Sequence, residues 1–301
     1  MPLLVTGSIG IDTVTTPYGV SENCIGGSAV YFSMAAGFFT SVRLIGAVGS
    51  DCPFDLTEVF AGRNVDLAGL ERRNLSKTFR WKGSYHDTMN EAITENVELN
   101  VLAEDPPAVP DQYKDSKFVF LANTAPALQH KLLEQIESPT FVAADTMNCW
   151  IVGHLDPLKA LLQKIDCLII NEDEARALAD DRNLVTAGRK ILDMGPRVVI
   201  IKKGESGSMM CDAEGQTFIL PAWPAAEVKD PTGAGDSFAG ALIGYLAKSG
   251  KTDFNSLKTA IAYGTVVSSF TISDFSLQGL ISINKSDIDN RYKTLAKLTK
   301  F

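Results

Sequence analysis

Short apolar runs alternate with longer mixed stretches over most of the chain. Leu3–Ser8, Val42–Val48, Phe118–Leu121, Phe141–Ala144, Leu168–Ile170 and Val198–Lys202 are rich in Val, Ile, Leu and Phe and are bounded by Gly, Asn or Asp. Continuous runs of this kind predict strands buried on both faces, as in a parallel sheet covered by helices. The stretches between them, including Ala127–Ile136, Pro157–Lys164 and Ala187–Asp193, are long enough for crossover helices. Such alternation predicts a doubly wound α/β core.

Two regions depart from that rhythm. From Thr78 to Val101 apolar and polar residues alternate with period two, the pattern of half-exposed antiparallel strands. This predicts either a small sheet inserted in the α/β core, with Asp12–Glu22 as a further strand segment, or an edge hairpin. Ser208–Cys211 and Thr217–Leu220, around Glu214-Gly215, predict a β-hairpin ahead of a helical C-terminal third.

Composition narrows the function classes. The chain has 301 residues, 45% hydrophobic and 21% charged, which is globular composition with ample material for a core. With 28 Lys+Arg against 36 Asp+Glu the formal charge is −8, which argues against a broad basic face for nucleic acid or anionic lipid. Cys24, Cys52, Cys149, Cys167 and Cys211 share no short metal or redox spacing, and the three histidines are scattered. No window approaches the ~18 apolar residues of a membrane span, and the N-terminus lacks a signal pattern. We expect a cytoplasmic protein with reduced thiols.

The strongest local signal is Asp230-Pro231-Thr232-Gly233-Ala234-Gly235-Asp236 followed by an apolar helical pattern. A small-residue turn at a helix N-terminus exposes backbone amides to an anion at the positive end of the helix dipole. Asp236 would repel phosphate if the turn only bound it. It makes sense as a base that deprotonates a hydroxyl attacking phosphorus, or, more blandly, as a helix cap.

Asp230–Ile243 resembles the C-terminal signature of the ribokinase-like, or PfkB, carbohydrate kinases. Gly10-Ile11-Asp12 with Gly26-Gly27-Ser28-Ala29 resembles the family's first strand and double-glycine sugar loop, and Phe39–Asp51 the stretch after it. Asn171-Glu172-Asp173-Glu174 matches an Asn-x-x-Glu element, and Lys203–Gly207 a nucleotide-side glycine loop. The likeness spans nearly the whole chain. It implies one domain over residues 1–301, with the segments near 12–22 and 78–101 forming a small β-sheet lid.

By this resemblance ATP gives its γ-phosphate to a hydroxyl of a small sugar-like acceptor. Asp236 would be the base, and the amides of Gly233, Ala234 and Gly235 the anion hole. Asp12, read as the end of the first strand, would hold acceptor hydroxyls together with Gly26, Gly27, Tyr31 and Asn123. Asn171, Lys202, Gly204, Gly207 and Thr232, with Gly233 and Gly235, would face ATP. Asn171 and Glu174 would hold Mg²⁺ through water, or simply start a helix rich in acidic residues. A monovalent cation such as K⁺ is a further option near Asp230 and Thr232, and the lid could pair with a second copy through the face bearing Phe79, Trp81 and Tyr85.

Two departures bear on the ligands, the first on the acceptor and the second on the adenine pocket. Tyr31 stands where the family usually has Asn, and Ala262-Tyr263-Gly264 where ribokinases carry Ala-Asn-Ala. Tyr31, Phe32 or Trp81 could stack a base, so a nucleoside kinase is the nearest alternative. A nicotinamide-dependent dehydrogenase is disfavoured because Val5–Gly10 lacks the GxGxxG pattern, and a non-catalytic sugar binder because it has no use for Asp236.

Overall fold

The computed structural model describes residues 1–86 and 89–300. Its main sheet has nine strands, in chain order β1 (Leu3–Thr6), β4 (Val42–Gly49), β5 (Val65–Arg73), β8 (Phe118–Leu121), β9 (Phe141–Asp145), β10 (Cys167–Asn171), β11 (Val198–Lys202), β12 (Ser208–Asp212) and β13 (Thr217–Leu220). The spatial order is β13-β12-β11-β10-β9-β8-β1-β4-β5. Only β12 runs antiparallel to the rest, and β13, antiparallel to β12, returns to the common direction.

Pleating sorts the side chains of each central strand onto two cores. Leu3, Val5, Phe118, Phe120, Cys167 and Ile169 join one buried cluster, whereas Leu4, Val119, Leu121, Leu168 and Ile170 join the other. The first cluster is roofed by α1 (Ser28–Ala36), α8 (Ala234–Ser249), α9 (Phe254–Thr271) and α11 (Lys285–Leu298). The second is roofed by α3 (Pro126–Leu133), α5 (Leu155–Leu162), α6 (Glu172–Ala179) and α7 (Leu184–Leu192). Strand order runs one way from β1 to β5 and the other way from β8 to β13. The reversal therefore opens between β1 and β8, the crevice where such sheets bind ligands.

The second sheet has four strands, β3 (Gly19–Gly26), β2 (Gly10–Thr16), β6 (Phe79–Tyr85) and β7 (Ala92–Glu98), in that order. Asp12 therefore lies within β2 of this small sheet and not at the end of the first main-sheet strand, which corrects the sequence expectation. The chain leaves the main sheet because Ser8 and Ser28 bind each other. Ser28 N donates to Ser8 Oγ at 2.9 Å, Ser8 N to Ser28 Oγ at 3.1 Å, and Ala29 N to Ser8 O at 3.1 Å. Trp81 and Tyr85 form part of the face that the sequence offered to a partner copy. They pack on this chain's own Val14, Met89 and Val228.

Among the described residues no helix is long and apolar enough to cross a membrane.

Candidate active site

The carboxyl edge of the main sheet lines up Asp145 at the end of β9, Asn171 at the end of β10 and Lys202 at the end of β11, the last two in register. The first turn of α8 meets this edge. Gly233, at φ 74, adopts the left-handed backbone that starts the helix, and a side chain there would collide with the Tyr31 ring. Tyr31 is only 1% exposed, so its ring supports this turn and has no open face for a sugar or base. Phe32 is likewise buried, stacked on Phe120 at 4.4 Å.

Of the three amides expected in the anion hole, one is occupied. Ala234 N donates to Pro231 O at 3.1 Å, closing the turn, whereas Gly233 N and Gly235 N donate to no protein oxygen among the described residues. Lys202 supplies what Ala234 cannot. Its Nζ lies 2.7 Å from where a Cβ on Gly235 would stand, so the missing side chain brings an ammonium beside the free amides. Amides, helix dipole and ammonium together suit a phosphate.

Two buried carboxylates, Asp145 and Glu174, and the half-buried Asp236 surround that ammonium. Burial raises the pKa of Asp236, opposed by Lys202 and by its own backbone amide. Burial and the neighbouring Asp236 push Asp145 far up, again opposed by Lys202, and one oxygen of Asp145, Oδ1, has no partner. Glu174, 6% exposed, is raised by burial with Lys202 opposing. Asp145 is the residue that sequence reasoning missed. The available signal was an acidic residue closing an otherwise apolar strand at the ligand-binding edge.

Asn171 and Glu174 form a capping box on α6. Asn171 Oδ1 accepts from Glu174 N and Glu174 Oε2 from Asn171 N, both at 2.8 Å. The bland reading of this motif is thus present in full, and only Glu174 Oε1 is left for other work. Among the described residues no three acidic, His or Cys side chains converge as metal ligands. Three carboxylates against one ammonium still leave excess negative charge, which suits a divalent cation reached through its own waters.

Asp230 is 1% exposed and ties two loops together. Its Oδ1 accepts from Thr232 N at 2.9 Å and its Oδ2 from Ser276 N at 3.1 Å, while Lys229 N donates to Ile272 O at 2.9 Å. Burial raises its pKa, and no cationic side chain pairs with it among the described residues.

Asp12 is 4% exposed beneath the Gly26-Gly27 turn. A Cβ on Gly26 would collide with its carboxylate, Gly27 N–H bonds it, and its Oδ1 has no partner. Burial, with Asp230 and Asp236 nearby, pushes its pKa up to about 7. Ala122 borders the same turn, since a Cβ on Gly7 would stand 2.7 Å from both Ala122 Cβ and Ser28 Oγ. Asn123 follows it directly. The small sheet also reaches the phosphate side. Tyr85 OH contacts Thr232 Oγ1 at 3.4 Å, and Asn90 Oδ1 lies 2.8 Å from where a Cβ on Gly204 would be. Gly204 and Gly207, at φ 51 and 86, bracket the turn after β11.

Comparison with known proteins agrees with this arrangement. Residues 25–283 match the pfkB family carbohydrate kinase model. A cytidine kinase of Thermococcus kodakarensis is 29% identical over 260 residues, covering 81% of this chain and 88% of that protein. A Burkholderia thailandensis nucleoside kinase solved with inosine superposes with a TM-score of 0.79 at 18% identity, covering 97% of this chain and 98% of its own. A putative ribokinase II from E. coli, solved with ATP and Mg²⁺, gives 0.76 at 18% identity over 97% and 99% of the two chains. The chain therefore belongs to the pfkB family of carbohydrate kinases and is an ATP-dependent phosphotransferase.

Proposed function

We propose that this kinase moves the γ-phosphoryl group of ATP to a hydroxyl of a small sugar or sugar-bearing acceptor held between Asp12 and Asp236. The observation that supports this reading is Asp236 in the first turn of α8, half-buried beside Lys202 and directly after the unoccupied Gly233 and Gly235 amides. Asp236 takes the hydroxyl proton as the acceptor oxygen bonds to the γ-phosphorus and the bond to the bridging oxygen of ADP breaks. The two amides and Lys202 stabilise the charge spreading over the transferred group, where a preorganised donor is typically worth ~3–4 kcal/mol.

Mg²⁺ bound with ATP would neutralise phosphate charge. Glu174 and Asp145 are the residues suited to hold its waters, with Asn171 acting mainly as the helix cap. A monovalent cation beside Asp230 and Thr232 would balance a buried carboxylate with no cationic partner among the described residues, and a rate that rises with K⁺ at constant ionic strength tests it. The small sheet acts as the lid, excluding water as a competing acceptor. A second copy of the chain would pair at its outer strand β7, all of whose residues are exposed, and light scattering that gives a monomer removes this pairing.

Within this function a nucleoside acceptor has specific support. Of the three aromatics considered for stacking, Trp81 alone keeps partial exposure, and a relative that matches 81% of the chain is a cytidine kinase. ADP release with a panel of free sugars and nucleosides separates the two. Asp236→Asn should lower kcat by about 10² to 10⁴-fold with ATP affinity nearly unchanged, and full activity in that variant overturns the assigned base.

A further inference from the structure

At the carboxyl end of β8, beside the crevice between β1 and β8, lies a contact that the phosphoryl-transfer reading does not use. Trp150, on the short helix α4 (Asn148–Gly153), donates its indole N–H to Asn123 Oδ1 at 2.8 Å. An indole nitrogen is a donor only, so this bond also assigns the amide: the carbonyl oxygen of Asn123 is taken, and its NH₂ points elsewhere. One amide hydrogen is directed at Met147 Sδ, 3.2 Å away and a weak acceptor. The other is uncommitted among the described residues. The backbone under this pair is fixed, because Gln129 Nε2 donates to Leu121 O at 2.8 Å and to Ala122 O and Asp145 O at 3.2 Å. Asn123 lies just past β8, at the crevice between β1 and β8, and the preceding Ala122 lies beside Ser28 of the Gly26-Gly27 turn.

We infer that Trp150 is a positioning residue that locks the Asn123 amide with its N–H toward the acceptor, so that this side of the crevice reads an oxygen lone pair and not a donated proton. The inference rests on the proposed function and deepens it. A carbonyl or ring oxygen satisfies Asn123 outright. A hydroxyl satisfies it only by sending its own hydrogen to another partner, for which the unpartnered Oδ1 of Asp12 is available. Without the indole, the amide rotates freely and half its orientations present the wrong atom.

The test measures initial rates with cytidine and with D-ribose as probe acceptors. Trp150→Phe keeps an aromatic ring and removes the N–H. It should raise KM for the acceptor about five- to tenfold while kcat and KM for ATP stay within about twofold. Asn123→Ala should do the same, and the double variant should be no worse than Asn123→Ala alone. An unchanged acceptor KM in Trp150→Phe, an equal rise in KM for ATP, or additive effects in the double variant would each overturn the inference. Should Trp150→Phe not fold, Asn123→Asp decides: it accepts from Trp150 but presents an oxygen, so acceptor KM should rise at least tenfold, and an unchanged value overturns the inference. A wild-type enzyme active on neither probe nor on any acceptor of the wider panel removes the functional reading itself, and this inference with it. An active wild type with unresponsive variants removes only the role of Trp150.

Discussion

Asp12 shows how much a single buried carboxyl can govern. With its pKa pushed up to about 7 by burial and by Asp230 and Asp236, it holds a proton across the mildly acidic range where an exposed aspartate does not. If the acceptor donates hydroxyl protons to it, KM for the acceptor should climb as pH falls below about 7, with KM for ATP following a flatter profile. The sign for stability is opposite. The folded chain binds this proton more tightly than the unfolded chain, so the group's contribution to stability grows as pH falls from about 7 toward 4 and is lost as pH rises through 7. Asp12→Asn should flatten both trends, as read by acceptor kinetics and by melting temperature without ligand. An acceptor KM independent of pH between 5 and 8 would contradict the placement of Asp12 among the acceptor contacts.

The elements show where reading the chain succeeds and fails. The central strands were legible because continuous apolar runs leave a buried parallel strand as the only economical fate. Edge strand β5, with the sequence VDLAGLERR, was not legible, because one strand neighbour and a half-exposed face dilute its apolar pattern. The break between β1 and β2 was invisible for another reason. It depends on Ser8 meeting Ser28, a contact between residues 20 apart in sequence, inside a stretch that reads as one strand. The turn before α8 was legible in outline. Which of its amides stays free was not, since the Ala234–Pro231 bond follows from the exact path of the turn. Gly235→Val tests that turn as a unit. A branched side chain must displace Lys202, so kcat should fall at least a hundredfold while the melting temperature shifts little, because this first turn lies outside the packed face of α8. Retained activity would separate Lys202 from phosphate binding.

For the whole molecule, the two sheets divide the work. The main sheet and α8 carry the groups aimed at phosphate, and the small sheet carries Asp12 on β2 and Tyr85 on β6. Tyr85 is buried against Val14 and Met89 and touches Thr232, so one contact joins acceptor binding to the anion turn. Tyr85→Ala should loosen that seat without harming the main core, to which it contributes no packing. Acceptor KM should rise, and ATP hydrolysis without acceptor should increase relative to productive transfer, both read in one coupled assay. An unchanged ratio of hydrolysis to transfer would show that the sheet does not guard the site.

The helix bearing Asp236 also bears Phe238, Ala241, Leu242, Ile243 and Leu246, all deep in the larger core. Any drift of the proposed base would therefore unpick the interior, because the helix that carries it is anchored by the same atoms that keep the chain folded. By the proposed roles, acceptor contacts rest on the small sheet and on the end of β8, outside the packed face of α8. A designer who wants a new acceptor should accordingly diversify β2, β6 and the Asn123–Trp150 pair and leave α8 untouched.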